Sequence, residues 1–510
     1  MSDNSNNSKR IVKNTVILYV RMLFLMAISL FTTRVILQVL GVEDYGIYNV
    51  VGGVVALFNI LSQALSSACS RFLNFEMGRG NYERLRKVFS TSLTIQIVLA
   101  ITIALLAEVI GGWFLNNKMV IPTERLDAAN WVLHFSIITF CINLISVPYN
   151  AVIIAHERMK AFAYISLYEG IARLLICYLL FLSPIDRLVL YALLICLIQL
   201  SIRLIYSFYC NRHFEETHYE YSYDKSLLRE LVGFTGWNFI GASSVVLRTQ
   251  GGNILINLFA GPSVNAARGV ANQVNHAISG FSSSFMTAVK PQITKSYAAG
   301  DIRYMSILVN QSAKFSLYLL LFLSLPILVN IEFILSIWLK VVPASTEIFV
   351  ILTIVFTIVE SLSNPLITAQ MATGKVRNYQ LLVGGLNLLN IPFSYILLRL
   401  GYPAYIFLVV AIILSIVCMF ARIFMVQVNA GLPASSFIKN VIFKGGFVVV
   451  TSAIFPLILN YILPFSFGTF VLKVFVSVAC TTFSVAYIGC TKGERAIVYG
   501  KIKKIIKKRK

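Results

Sequence analysis

Apolar residues run through this chain in blocks of roughly 20–30 positions, separated by short stretches that carry most of the charge. A helix needs about 20 predominantly apolar residues to cross a hydrocarbon layer about 30 Å thick. Blocks of that length fall at 14–40, 46–70, 87–116, 128–153, 162–183, 187–210, 229–260, 264–289, 305–335, 344–372, 376–400, 402–428, 441–463 and 467–490. Alternation of period two over segments of about ten residues, the pattern of an outer-membrane barrel, is missing. The pattern predicts an all-α polytopic membrane protein of about fourteen transmembrane helices. The block 264–289 is rather polar for a span, and 441–490 can be divided in more than one way.

Composition agrees. Hydrophobic residues make up 58% of the 510 and charged residues only 13%, whereas a soluble domain carries about 45–50% and about 25%. Lipid must therefore solvate much of the surface. The net charge of +22 does not point to nucleic acid, because the cations sit in short loops and in the tail Lys501–Lys510. Cations beside spans orient the chain and meet anionic lipid headgroups. On one side the loops hold only Lys118, Arg125, Arg187, Lys340 and Arg399, while the termini and the alternate loops hold most of the rest. The positive-inside rule then places both termini in the cytoplasm and favours an even number of spans. The first apolar block is long and contains Arg21 and Arg34, unlike a cleavable signal peptide, and is expected to be retained. The eight cysteines include no CxxC pair, and nearly all lie within apolar blocks, as small buried hydrophobes do.

An ungapped internal repeat runs at an offset of 220 residues. Leu40-Gly41 falls on Ala260-Gly261, Ser62 on Ser282, Ala68 on Ala288, Gly80 on Gly300 and Ser92 on Ser312. Six spans separate the copies, so both halves share one orientation, as in transporters built from parallel repeats. The expected organisation is a cytoplasmic N-terminus 1–13, a first lobe of six spans at 14–210 and a linker at 211–228. A second lobe of six spans follows at 229–428, then two further spans within 441–490 and a basic tail 491–510.

No catalytic or metal-binding motif emerges. Gly374-Lys375-Val376 lacks the spacing of a phosphate-binding loop, and neither an HExxH nor a GxSxG is present. Movement of a substrate is the expected activity, with no cofactor. Charge inside a membrane is expensive and marks functional surface. Arg21, Arg34, Arg248 and Arg268 lie in repeat-related spans without an acid one turn away on the same helix. Either they pair across helices and snorkel, or they offer guanidinium groups to an anion in a wet cavity. Arg203, Lys314 and Lys473 are expected to snorkel to headgroups. Arg268, Asn272, Asn275, Ser279 and Ser282 share one helical face, which must meet a cavity or a partner helix rather than lipid. Asn59, Ser62, Ser66 and Ser70 echo it. Glu108, Glu169 and Glu360 are the candidate ion-coupling acids, with Arg173 one turn from Glu169.

Leu40-Gly41-Val42-Glu43-Asp44-Tyr45-Gly46-Ile47-Tyr48, Gly236-Trp237-Asn238, Ala266-Ala267-Arg268-Gly269-Val270-Ala271 and Pro291-Gln292-Ile293-Thr294-Lys295-Ser296-Tyr297 resemble Wzx-type polysaccharide flippases. These belong to the multidrug/oligosaccharidyl-lipid/polysaccharide exporter superfamily, and the resemblance covers roughly residues 10–430. It implies a V-shaped, two-lobed transporter of a bacterial inner membrane that flips polyprenyl-pyrophosphate-linked oligosaccharide by alternating access, for O-antigen, capsule or exopolysaccharide synthesis. Basic cavity residues would hold the pyrophosphate. Membrane lipids, and a polysaccharide polymerase with other assembly proteins, are the partners it implies, and the energy source, a proton or a sodium gradient, stays open. An ion-coupled antiporter of drugs or small amphiphiles is the alternative, and a non-transporting scaffold of a glycan-assembly complex is a third.

Overall fold

Hydrocarbon offers no hydrogen-bond partners, so a spanning segment must satisfy its backbone internally, as a helix does. The computed structural model describes residues 2–56, 58–117, 121–182, 186–220, 224–339, 345–463 and 466–495. The basic tail from 496 onward and the loop cations Lys118 and Lys340 lie outside the described residues. Among the described residues the regular elements are all helices: α1 (Ser2–Ala56), α2 (Asn59–Arg79), α3 (Tyr82–Leu106), α4 (Gly112–Asn117), α5 (Leu126–Ala155), α6 (Met159–Leu182), α7 (Arg187–His213), α8 (Lys225–Ala298) and α9 (Ile302–Val329). There follow α10 (Ile331–Trp338), α11 (Thr346–Ala372), α12 (Arg377–Leu388), α13 (Asn390–Arg399), α14 (Ile406–Ala430), α15 (Ala434–Phe437), α16 (Lys444–Ile462) and α17 (Phe467–Ser484).

Eleven stretches among the described residues are long and apolar enough to cross a membrane. The three expected spans absent from that set are 46–70, 229–260 and 264–289. These fall in α1–α2 and in α8, which are helical but carry the polar stripes and glycines noted above. The first helix ends where its apolar block does: α1 is two helices that meet at Gly41, whose backbone is non-helical (φ 81°, ψ 170°), the second running on to Ala56. One boundary differs. The expected break between 229–260 and 264–289 falls inside the 74 residues of α8.

The repeat is written into the backbone. Gly80 and Gly300 both adopt left-handed φ, 69° and 78°, a conformation that glycine enters without steric cost. Gly80 N–H donates to the Met77 carbonyl and Asn81 N–H to the Glu76 carbonyl; Gly300 and Asp301 donate likewise to Tyr297 and Ser296. The helices that follow start at Tyr82 and Ile302, and the next long ones at Leu126 and Thr346, both in the same register.

Contacts divide the chain into two compact units. The first comprises Met1–Ser243 with Thr287–Asp301, the second Ser244–Met286 with Ile302–Lys510. In the first, Val132, Leu133 and Leu144 of α5 pack with Leu188 and Ala192 of α7 and Ile103 of α3. In the second, Phe349, Val350 and Ile354 of α11 pack with Leu320 of α9, Ile256 and Ala271 of α8 and Phe407 of α14. Helix α16 joins this unit by burying Val448 among Leu317 and Leu321 of α9. Outward-facing positions are apolar too: Leu182 is 82% exposed and Phe475 70%. A surface of that kind requires lipid around it.

Candidate functional site

In the second unit, α8 supplies two guanidinium groups, Arg248 and Arg268. Arg248 is half-buried, donates through Nη1 to Asn387 Oδ1 of α12 at 2.7 Å, and stacks over Phe356 at 5.0 Å. Arg268 is only 4% exposed. Its Nη2 donates to the Thr249 carbonyl at 3.1 Å, its guanidinium lies 4.7 Å from the Phe407 ring centre, and its buried Nη1 has no hydrogen-bond partner. Gly252 makes this stacking possible, because a Cβ there would run into the Phe407 ring and lie 2.7 Å from Arg268 Nη1.

A third guanidinium, Arg422 of α14, belongs to the same unit and is also 4% exposed. Its Nη1 stands 3.7 Å from Glu360 Oε1 on α11, and its Nε donates to the Tyr379 hydroxyl at 3.3 Å. Glu360 also accepts a hydrogen bond from Ser415. Among the described residues Arg422 is the one of these three guanidinium groups within ion-pair distance of a carboxylate. Burying unpaired charge costs several kcal/mol, so Arg248 and Arg268 depend on the aromatic rings and oxygen acceptors around them. Arg422 escapes a reading of the sequence because it lies near the end of an apolar block, where a cation resembles a loop residue. Its spacing from Ser415 and Cys418, which puts all three on one helical face, is the available signal.

The polar stripe of α8 turns inward. Ser282 is buried, and Asn272, Asn275 and Ser279 are half-buried. Asn275 Oδ1 accepts from Thr357 of α11 at 2.5 Å, so part of the stripe joins helices of the second unit.

The first unit holds a separate group. Arg21 of α1 stacks on Phe162 of α6 at 4.4 Å and keeps a buried Nε without a hydrogen-bond partner. Glu169 pairs with Arg173 at 2.8 Å and accepts from Gln199 at 3.2 Å. The Arg34 side chain lies outside the described residues. Glu108 sits in a π-type turn, Ala107–Gly111, and faces His134 at 2.6 Å on the exposed side of its helices. Each of the three acids singled out from the sequence therefore has a partner within its own unit.

Two of the three cations expected to snorkel are buried against protein partners instead. Lys314 is 6% exposed and pairs with Glu494 at 2.7 Å; Lys473, equally buried, donates to Asn460 at 2.9 Å. Arg203 stacks on Tyr149 at 4.1 Å. An apolar cavity of about 630 Å³ opens in the first unit between Leu65 of α2, Val98 of α3 and Phe239 of α8. Among the described residues no group of His, Cys, Asp and Glu could hold a metal ion.

Comparison with known proteins places the chain. A family model described as polysaccharide biosynthesis protein matches residues 11–297, and one described as MatE matches 245–396. The uncharacterized membrane protein EpsK of Bacillus subtilis is 22% identical over 298 residues, 56% of this chain and 57% of that protein. The aligned part of the chain thus spans little more than half the length of that relative. Among solved structures, an outward-facing multidrug resistance transporter of the MATE family has a TM-score of 0.70 at 14% identity, covering 83% of this chain and 96% of the other. A MOP-superfamily transporter from Pyrococcus furiosus, described as having a binding pocket of reversed polarity, has a TM-score of 0.63 at 14% identity, covering 82% and 96%. A point mutant of the MATE transporter VcmN of Vibrio cholerae has a TM-score of 0.66 at 14% identity, covering 84% and 98%. A many-spanned helical bundle with the fold of these transporters, matched over more than half its length by the one family model, this chain belongs to the polysaccharide biosynthesis protein family.

Proposed function

We propose that this protein is a flippase that moves polyprenyl-pyrophosphate-linked oligosaccharide across a bacterial inner membrane by alternating access, with both termini in the cytoplasm. The observation that carries this reading is the orphan Nη1 of buried Arg268, in the unit that also holds Arg248 and Arg422, the last of them facing Glu360. A guanidinium donor without a partner in a low-dielectric setting is costly to leave unmade, and a phosphate oxygen satisfies it with matching geometry. The apolar cavity beside Phe239 supports a substrate with an isoprenoid chain. Polysaccharide polymerase and other assembly proteins are the partners of such a step, and a proton or sodium gradient its energy source.

Complementation of a flippase-deficient strain tests this. The wild-type chain restores surface polysaccharide, whereas a variant with Arg21, Arg34, Arg248 and Arg268 all replaced by Ala, at normal abundance, does not. Full rescue by that variant overturns the site.

A second reading, an ion-coupled antiporter of drugs or small amphiphiles, is favoured by the MatE match over 245–396, the stretch holding Arg248, Arg268 and Glu360. Drug resistance conferred by the wild type and lost with Glu108→Gln or Glu360→Gln would support it over the flippase.

A further inference from the structure

The first unit carries a second, basic cavity, lined by residues other than those of the proposed substrate site. Its volume is about 850 Å³, within the range of small-ligand sites, and its walls include Arg10, Lys13, Arg158, Lys160 and Lys295. Glu157 is the one acid among the described lining residues. Its carboxylate is already engaged by neighbouring residues: Arg10 Nε stands at 2.6 Å, Lys295 Nζ at 3.2 Å, and Gln292 Nε2 donates at 2.6 Å. Lys13, Arg158 and Lys160 are exposed, and no described carboxylate lies within ion-pair distance of them.

Depth is set by the spans themselves. Arg10 begins the first membrane-crossing stretch, Tyr82 the second and Met159 the fourth, while Glu157 follows the end of the third at Ala155. Tyr82 and Tyr164, both about two-thirds exposed at 69% and 67%, border the cavity. Exposed tyrosines at the ends of spans mark the headgroup level of a bilayer. A cavity with three uncompensated cations at that level fits a phosphate ester on a lipid better than any neutral or cationic ligand.

The turn that builds the cavity is strained in the same direction. Glu157 has φ 57°, a left-handed conformation rare outside glycine. It closes α5 with Glu157 N–H donating to the Ile154 carbonyl and Arg158 N–H to the Ile153 carbonyl. That geometry turns the Glu157 carboxylate inward to Arg10 and Lys295 while Arg158 and Lys160 stay exposed on the cavity wall.

We infer that this cavity binds the phosphate of an anionic lipid headgroup, through Lys13, Arg158 and Lys160. The test uses the full chain, purified and reconstituted with equal parts of phosphatidylglycerol and phosphatidylcholine, with bound lipid read by native mass spectrometry. Phosphatidylglycerol is expected to be retained over phosphatidylcholine by on the order of tenfold, and K13Q/R158Q/K160Q to abolish the preference. Replacement of three exposed cations outside the cavity, K225Q/R229Q/K439Q, should leave it in place. Equal loss in both triple variants means unspecific surface charge and overturns the site. Displacement of the lipid by millimolar inorganic phosphate shows a site for free phosphate and overturns the lipid assignment. If the cavity triple does not fold, Lys160→Glu alone serves, and retention of the full preference in it counts against the proposal.

Discussion

The guanidinium of Arg268 lies over the Phe407 ring, 4.7 Å from its centre, in the space left by the missing side chain of Gly252. Two helices distant in sequence thus fix a buried cation whose remaining nitrogen faces no protein acceptor.

Gly252→Ala should break this arrangement. Its methyl group would overlap the Phe407 ring, and overpacking of that kind costs about 1–3 kcal/mol. A lower melting temperature in detergent and weaker complementation are expected together. Unchanged stability with full activity would show that Arg268 needs no such seat.

Arg268→Lys tests the guanidinium against mere charge. Lysine keeps the cation but not the planar fork. Complementation or lipid-linked oligosaccharide translocation should fall by roughly tenfold or more, on the scale of one charge-assisted hydrogen bond of about 1.5–3 kcal/mol. A rate equal to wild type rejects the direct contact with phosphate.

Glu360→Gln removes the acid that faces Arg422 at 3.7 Å. A buried cation without its partner is destabilising by about 3–5 kcal/mol. The double variant Glu360→Gln with Arg422→Met should recover much of that loss in a thermal melt. Failure to recover would assign Glu360 a role other than counter-ion.

Glu494 provides a pH prediction. Burial by itself raises its carboxyl pKa, but the hydrogen bonds from Lys314 and the Thr491 backbone outweigh burial and hold it below the usual carboxylate range. A depressed folded-state pKa stabilises the protein above the unfolded-state value, about 4.3 for Glu, and the contribution disappears as pH falls through the folded-state value. Melting temperature should therefore drop more steeply below about pH 4 in the wild type than in Glu494→Gln. Parallel curves would mean that the pair contributes nothing.

Glu157→Gly separates backbone strain from ion pairing. Glycine relieves the φ of 57° but strands Lys295 and Arg10. Removing the partner of a buried charge costs about 3–5 kcal/mol, more than the roughly 1 kcal/mol regained from the backbone. A net loss of stability is expected; a gain would show that the carboxylate holds nothing.

How far the site can be read from the sequence differs from residue to residue. Arg248 stands out because a cation in the middle of an apolar block has no local explanation, and Arg268 because it heads a row of polar residues at helical spacing. Arg422 does not, since it lies close to a block end, yet the fold buries it as deeply as Arg268. Lys314 and Lys473 mislead in the opposite direction. Long aliphatic stems reach a headgroup from near a helix end, but the packing of α9 and α17 supplies Glu494 and Asn460 instead. The trio of Arg10, Glu157 and Lys295 leaves no mark in the sequence, since Lys295 follows Glu157 by more than a hundred residues.

Helical character, lipid as solvent and the register of the repeat were all decided by the order of residues alone. Hydropathy and turn chemistry are local: a long apolar run must form a helix in hydrocarbon, and glycines such as Gly80 and Gly300 end helices through a backbone conformation open to them. Which cation meets which acid was left to the tertiary structure. A guanidinium on α14 and a carboxylate on α11 pair only after both helices have packed within the second unit, and the sequence spacing between them carries no trace of that distance. Packing decided, in the same way, which way the polar stripe of α8 turns, because a helix with one polar face is stable only where neighbouring helices or an enclosed anion take that face away from lipid.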